Sequence, residues 1–465
     1  MNYRILAVVL SVVLLSLCMA VEKQPEKVPV KKSVTASVKK PTTAPHKKSP
    51  HIPCKDCNVI WITIDALRAD HMGLYGYPRN TTPNIDEFAK KSVIFRYSFT
   101  QWPKTTQSMA SFLTGRYPRE TGVINEIQRV SDRNVFISEI LQSRGYLTAA
   151  INTNGNVGST ANFNQGFDEF YDIWRPNRIY HRYSADVVTS NAVLPWLEIN
   201  KSQRFFLRVH YIDPHNPYHP KPPYNKVFVD DEYYGTEYMP PKTSKFTVNK
   251  SANYLISQYD GEIALADNEV GKVLRYLADS GLFNKSIVII SADHGESLDE
   301  HGLYFQHGRD LYSPCLRVPL ILYHPKLQHK IIEQPVGLIN IAPTILDVLG
   351  ENISKTQFSE KSLIPLINGD VNDLGGVFSE DGRFYSVVHG EYKLILNRKT
   401  HQKTLLKYTE DPEELHPITD AEMTGRLLKE IKVHKKRQRF TKAKAEPLEM
   451  DKELKAHLKS LGYLN

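Results

Sequence analysis

The sequence predicts an α/β fold: a central, mostly parallel sheet flanked by helices, followed by a smaller C-terminal α+β subdomain. Three observations point there. Continuous apolar runs, among them NVIWITI at 58–64, FFLRVHY at 205–211 and SIVII at 286–290, read as strands buried on both faces. Segments with apolar residues at helical spacing separate them, as in a sheet with helices on both sides. Acidic residues and histidines gather where the runs stop, the strand ends at which open α/β sheets place their ligands.

Taken from its start, the chain opens on Arg4 and an apolar run, 5–21, then Glu22 and Lys23. This reads as a signal peptide or N-terminal membrane anchor over 1–21, so the protein is expected to be exported and periplasmic, cell-surface or secreted. Seventeen helical residues reach about 26 Å, slightly short of a hydrocarbon core of ~30 Å. Residues 22–54 are a Lys/Pro/Thr linker whose composition cannot repay the entropy of ordering, a disordered tether. Eight Lys and two Glu between Val21 and Pro50, with Arg4, carry +7 of the formal +8. The remaining body is near neutral, and no nucleic-acid-binding face is implied. Cys54 and Cys57 have no second CxxC to complete a zinc site, so a local disulfide is expected. Cys315 is expected in the core.

The catalytic body is expected over 55–375. Its first strand, 58–64, ends in Asp65-Ala66-Leu67-Arg68. TTPNIDEFAKKSVIF (81–95) opens a helix at Pro83 and returns to a strand. QWPKTTQSMASFLTGRYPRETGV (101–123) runs from a Trp-Pro loop into a small-residue helix. At its start Thr105 and Thr106 suit either an N-cap, whose hydroxyl accepts an orphan amide, or chemistry. A helix at 135–144, a strand in GYLTAAIN (145–152), the strand 205–211 running into Asp213-Pro214-His215, and a helical pattern over 252–282 follow. The strand 286–290 exits into Asp293-His294-Gly295-Glu296. From Gly376 the alternation turns antiparallel, giving a subdomain over 376–465. Asp411-Pro412 is expected to open a turn and helix, and the basic run 426–444 to be a solvated helix face.

Asp65, Asp293 and His294, with the Thr105 hydroxyl as a fourth group, form a mixed oxygen/nitrogen set of the kind divalent Mn or Zn accepts; Ca prefers oxygen alone. A cation there would stabilise the alkoxide of an otherwise poor nucleophile. His210, His215, His301 and His307 are candidates for the acid that protonates a leaving oxygen.

With these residues in view, the chain resembles the sulfatase family of the alkaline phosphatase superfamily. ITIDALRADHMGLYGY, SFLTGRYPRETGVINE, NQGFDEFYD, DPHNPY, SADHGESLDEHG, YSPCLRVPLILY and the final LKSLGYL occur in the family's order from about Asn58 to the C-terminus. The resemblance implies a central mixed sheet with a smaller C-terminal subdomain, and metal-assisted ester hydrolysis. It assigns Asp65, Asp293 and His294 as metal ligands and Thr105, nine residues before Thr114-Gly115-Arg116, as nucleophile and further ligand. His215 matches a histidine of the pocket and His307 falls close to where many members carry a lysine, both expected to be catalytic, while Asn125 and Arg68 are expected to bind the ester. One divalent ion (Mn, Zn or Ca) is implied, with room for a second.

The departures matter as much. Sulfatases carry Cys or Ser in C/S-x-P-S-R, oxidised to formylglycine. Here stand Thr105-Thr106-Gln107-Ser108-Met109, and a threonine would give a ketone instead. Ala66 replaces a second Asp, and His294 an Asn or Gln. The expectation is a hydrolase of sulfuric or, favoured by the threonine, phosphoric esters on a glycan, lipid or small molecule. The alternatives are a phosphoethanolamine-type transferase and a non-catalytic descendant that binds anionic glycans.

Overall fold

The computed structural model describes residues 54–174, 184–230, 252–351, 358–438 and 444–464. The expected leader (1–21) and all but the last residue of the expected tether (22–54) lie outside them. No helix among the described residues is long and apolar enough to cross a membrane.

An eight-stranded sheet forms the floor of the molecule. Its strands are β1 (Asn58–Ile64), β2 (Val93–Phe95), β3 (Leu147–Asn152), β4 (Glu169–Asp172), β5 (Phe205–Tyr211), β6 (Ser286–Ala292), β7 (Leu320–Tyr323) and β8 (Lys330–Ile332), ordered β8-β2-β7-β6-β1-β5-β3-β4. Seven run in one sense; β7 alone runs against its neighbours β6 and β2. The sheet is therefore mixed but mostly parallel, as expected. β1, β5 and β6 are buried along their whole length, which explains why they are apolar without alternation. The edge strands β4 and β8 are only partly buried and left no such signature.

Register does the positioning. Ile64 lies opposite Tyr211 on one side and Ala292 on the other, so Asp65 and Asp293 emerge side by side from the carboxyl end of the sheet. Two helices pack over it: α1 (Thr105–Thr114), buried at every residue, and α2 (Ala252–Asp279), which turns one face to the core.

A four-stranded antiparallel sheet follows, made of β9 (Val377–Glu380), β10 (Phe384–His389), β11 (Tyr392–Asn397) and β12 (Lys403–Leu406), covered by α3 (Ala421–Gln438). The helix expected from Asp411 does not form. Asp411 Oδ2 accepts from the His416 amide, and Glu414 takes φ +58°, which breaks a right-handed helix. The last helix, α4 (Lys452–Ser460), leaves this sheet and returns to the main core, burying Leu454 and Leu458. Cys54 and Cys57 form the expected disulfide at the entrance to β1, and Cys315 is buried.

Candidate active site

Two buried carboxylates and an imidazole converge beyond the ends of β1 and β6. Each carboxylate spends one oxygen on the protein. Asp65 Oδ2 accepts from Asn154 Nδ2 at 2.8 Å, and Asp293 Oδ1 from the amides of Ala66 and His294 at 3.2 and 3.0 Å. The other oxygens, Asp65 Oδ1 and Asp293 Oδ2, are buried without a hydrogen-bond partner. They lie 3.5 and 3.6 Å from His294 Nε2. His294 Nδ1 donates to the Gly295 carbonyl at 2.8 Å, so the Nε2 lone pair faces the carboxylates, the arrangement that orients a metal-binding imidazole. Three donor atoms thus meet within 4.8 Å of one another. Orphaned buried oxygens are costly unless a cation satisfies them, and this donor set fits a divalent ion.

The backbone around these ligands is tightly specified. Ala66 sits at φ +58°, uncommon for a residue with a β-carbon. Tyr259 of α2 holds the turn, donating to the Ala66 carbonyl at 2.7 Å and accepting from the Arg68 amide at 3.1 Å. A side chain at Gly295 would meet the Pro314 carbonyl at 2.0 Å, so only glycine lets the chain pass there.

Thr105 is the first residue of α1, with Lys104 as its N-cap, and Thr105 Oγ1 stands 3.1 Å from His294 Nε2. Neither threonine is the helix cap. Thr106 Oγ1 donates to the Glu126 carbonyl instead. Thr105 also lies 3.2 Å from the hydroxyl of Tyr463, which in turn lies 2.9 Å from His215 Nε2. His215 Nδ1 donates to the Asn216 carbonyl, leaving Nε2 as the acceptor from Tyr463. His307 Nδ1 pairs with Glu296 at 3.1 Å, and its ring lies 4.3 Å from that of His294 and 5.2 Å from that of His215. A cavity of about 260 Å³ opens above this cluster, bordered by Lys104, Glu126, His307, Arg309 and Tyr463.

The charges are interdependent. Burial raises the Asp65 carboxyl, but the imidazoles of His215, His210 and His294 outweigh it and hold the group well below the usual range. Burial opposes protonation of His294, yet Asp293 and Asp65 hold it above its ordinary value. Burial likewise lowers His307, with Glu296 pulling the other way. Burial pushes the Tyr463 phenol far up, and the Asp65 charge adds to this, so it is a neutral hydroxyl.

The structure gathers Asp65, Thr105, His215, Asp293, His294 and His307 but leaves two expected residues outside. Arg68 is buried in its own ion network, with Asp70 and Glu300 each at 2.7 Å and the Glu296 carbonyl at 3.1 Å, and does not border the cavity. Asn125 is exposed, its amide tied to Gln128; its neighbour Glu126 faces the cavity, paired with Lys104. Of the other histidines, His210 Nε2 lies 3.3 Å from Asp65 Oδ2, whereas His301 stacks on Tyr312 at 3.7 Å, away from the cluster. Tyr463, Asn154, Glu296 and Arg208 were not singled out by sequence. Arg208, on β5, is fully buried with its Nη2 3.2 Å from Met109 Sδ. A guanidinium therefore stands beside the position where the C/S-x-P-S-R pattern carries its own arginine.

Comparison with known proteins agrees with this geometry. The Sulfatase family model matches residues 57–351, and the model for the N-sulphoglucosamine sulphohydrolase C-terminal region matches 299–441. An arylsulfatase of Clostridium perfringens is 24% identical over 78% of this chain and 90% of its own length. Human N-sulphoglucosamine sulphohydrolase is 29% identical over 59% of this chain and 57% of its own. Among solved structures, BT4656 in complex with its substrate D-glucosamine-2-N,6-O-disulfate superposes with a TM-score of 0.69 at 19% identity, over 85% of this chain and all of that one. The phosphonate monoester hydrolase of Silicibacter pomeroyi gives 0.67 at 19% identity, over 86% and 96%. With a family model covering more than half its length, a matching fold and the site described above, the chain belongs to the sulfatase family of the alkaline phosphatase superfamily, as a sulfatase-like hydrolase.

Proposed function

We propose that the protein is a metal-dependent hydrolase of sulfuric or phosphoric esters carried on a saccharide, with the unmodified Thr105 hydroxyl as its nucleophile. The observation that carries this is the position of Thr105 Oγ1, 3.1 Å from His294 Nε2 beside Asp65 and Asp293, at the N-terminus of a fully buried helix. That helix end favours negative charge on the threonine oxygen.

Asp65, Asp293, His294 and Thr105 are the residues that would hold a divalent ion, which when bound supplies charge to stabilise the alkoxide and the ester's nonbridging oxygens. The nitrogen ligand favours Mn or Zn over Ca. Thr105 Oγ, its proton released to solvent, forms a bond to sulfur or phosphorus as the bond to the leaving oxygen breaks. His307, bordering the cavity with Glu296 behind it, delivers a proton to that oxygen when it is in its imidazolium form, which the Glu296 carboxylate supports against burial. Water then cleaves the threonine ester, releasing the inorganic anion and restoring the hydroxyl.

Relatives named N-acetylglucosamine-6-sulfatase and N-sulphoglucosamine sulphohydrolase support a saccharide substrate. The threonine and the resemblance to a phosphonate monoester hydrolase support extending the ester to phosphorus. Two features weigh against a non-catalytic descendant: the Ala66 amide braces Asp293, and Arg208 stands beside Met109. The Cys54–Cys57 disulfide supports an exported, oxidising setting. The test is a panel of sulfate monoesters, phosphate monoesters and phosphate diesters, assayed with Mn, Zn or Ca. Turnover that requires metal and Thr105 is expected. A protein that binds none of these metals and turns over none of the esters with any of them supplied overturns the reading.

A further inference from the structure

A second cavity, of about 590 Å³, lies between the antiparallel sheet and the segment that follows α1. Arg119, Arg398, Lys435 and Lys444 line it, and no acidic residue does. Three of these cations crowd one ring: Arg398 and Lys435 each stand 4.8 Å from the Tyr385 centroid and Arg119 stands 6.0 Å from it. Any two of the three therefore lie within about 11 Å, near the Debye length of ~10 Å at 0.1 M salt, and they repel. One buried carboxylate offsets part of this charge. Glu380 accepts from Arg119 on one oxygen and from Gln438 on the other. Arg119 is thus offset by Glu380, and what remains is a concave pocket whose charged lining is wholly basic, a setting that suits an anion.

Position gives the anion a source. Gly122, Ile124 and Gln128 line the basic cavity, while Glu126 borders the catalytic one. Ile124 and Glu126 are two residues apart, at most about 7 Å between their Cα atoms, so the two cavities share a wall. We propose that the basic cavity is an accessory subsite for a second anionic group, sulfate or carboxylate, on a saccharide whose ester occupies the catalytic cavity. The saccharide part rests on the function proposed above; the anion site itself does not. A nucleic acid would call for a continuous basic groove with exposed aromatic platforms. Tyr385 lies beneath its cations and is 5% exposed.

The test uses the full chain and a fluorescent heparin tetrasaccharide, with binding read in the Thr105→Ala background. Arg398→Gln with Lys435→Gln should weaken binding about tenfold or more and flatten its salt dependence. With Thr105 intact, the same pair should leave turnover of a small aryl ester unchanged. Lys444→Glu, at an exposed position, should weaken binding without any burden on folding. Unchanged tetrasaccharide affinity in both variants overturns the subsite. A single-stranded oligonucleotide bound as tightly through the same residues overturns the saccharide assignment. Absence of aryl-ester turnover in the unmodified chain would count against the proposed function alone, because the binding arm does not depend on catalysis.

Discussion

The hydroxyl of Tyr463 stands 3.2 Å from Thr105 Oγ1, although 358 residues separate them in sequence. Thr105 is only 1% exposed, and the phenol closes it off. In-line attack needs the ester's central atom about 3–3.5 Å from the attacking oxygen. That is where Tyr463 now sits, in reach of His215 as well. The tail after α4 must shift for an ester to enter. Tyr463→Ala should therefore lower KM for a small aryl ester several-fold while changing kcat less, as steady-state kinetics would show. A raised KM would mean that the phenol belongs to the ester's seat instead.

Thr105→Ala removes the attacking oxygen and should cut kcat by a factor of about 10⁶, the scale seen when a catalytic nucleophile is deleted. Thr105→Ser keeps the hydroxyl and the helix start, and should stay within about tenfold. Denatured wild-type protein quenched during turnover should carry its ester adduct on the peptide containing Thr105, readable by mass spectrometry.

The orphaned oxygens of Asp65 and Asp293 set up a thermal test of the metal site. A cation that binds only the folded protein at a hundred times its Kd adds about 2.7 kcal/mol. Adding Mn or Zn to chelator-treated protein should raise Tm by several degrees. Asp293→Asn should lose that shift. Its metal-free Tm should equal or exceed that of the wild type, because one of two facing buried charges has gone.

Acid should loosen α4. His457 Nε2 accepts from the Gly155 amide at 3.1 Å, and its ring stacks on Trp174. Burial, with His215 nearby, lowers this imidazole to about 4. The unfolded chain takes up that proton near pH 6.5, so below that pH unfolding binds more protons than folding. Stability is complete above about pH 6.5 and declines toward pH 4. Urea titrations at pH 7.5 and 5 should show the drop, and His457→Gln, which keeps an acceptor, should reduce it.

Lys393 of β11 and Glu414 form a buried ion pair at 2.9 Å, and Glu414 also accepts from the amide and hydroxyl of Ser313 on the main body. Breaking one side of a buried pair costs about 3–5 kcal/mol. Glu414→Ala should lower the urea midpoint accordingly, and adding Lys393→Met should recover part of the loss.

The legible parts of the molecule were those written in local patterns. β1, β5 and β6 are buried along their length, so their apolar runs announced them, and Asp65, Asp293 and His294 followed as strand exits. Edge strands β4 and β8 lack that burial and stayed silent. Thr105 needed the family's spacing to distinguish it from a helix cap. Tyr463, Asn154 and Glu296 reach the site through tertiary packing alone, from a returning tail and from loop turns with no periodic signal. Arg68 and Asn125 misled for the converse reason. Both lie beside motif residues in sequence, but one is consumed by Asp70 and Glu300 and the other faces solvent.

Arg208 gives the centre a built-in counter-ion. Its guanidinium is wholly enclosed, with Nε and Nη1 lacking hydrogen-bond partners. Burial brings it down to about 10, with the charges of Asp293 and Asp172 opposing the fall, so it stays cationic at neutral pH. Asp293 thus faces a positive charge that cannot dissociate. The donor atoms of Asp65, Asp293 and His294 converge on one point, so titration with a divalent cation is expected to saturate at one equivalent per chain. A permanent guanidinium also keeps its charge when chelators strip the site, so the emptied centre should refill without refolding.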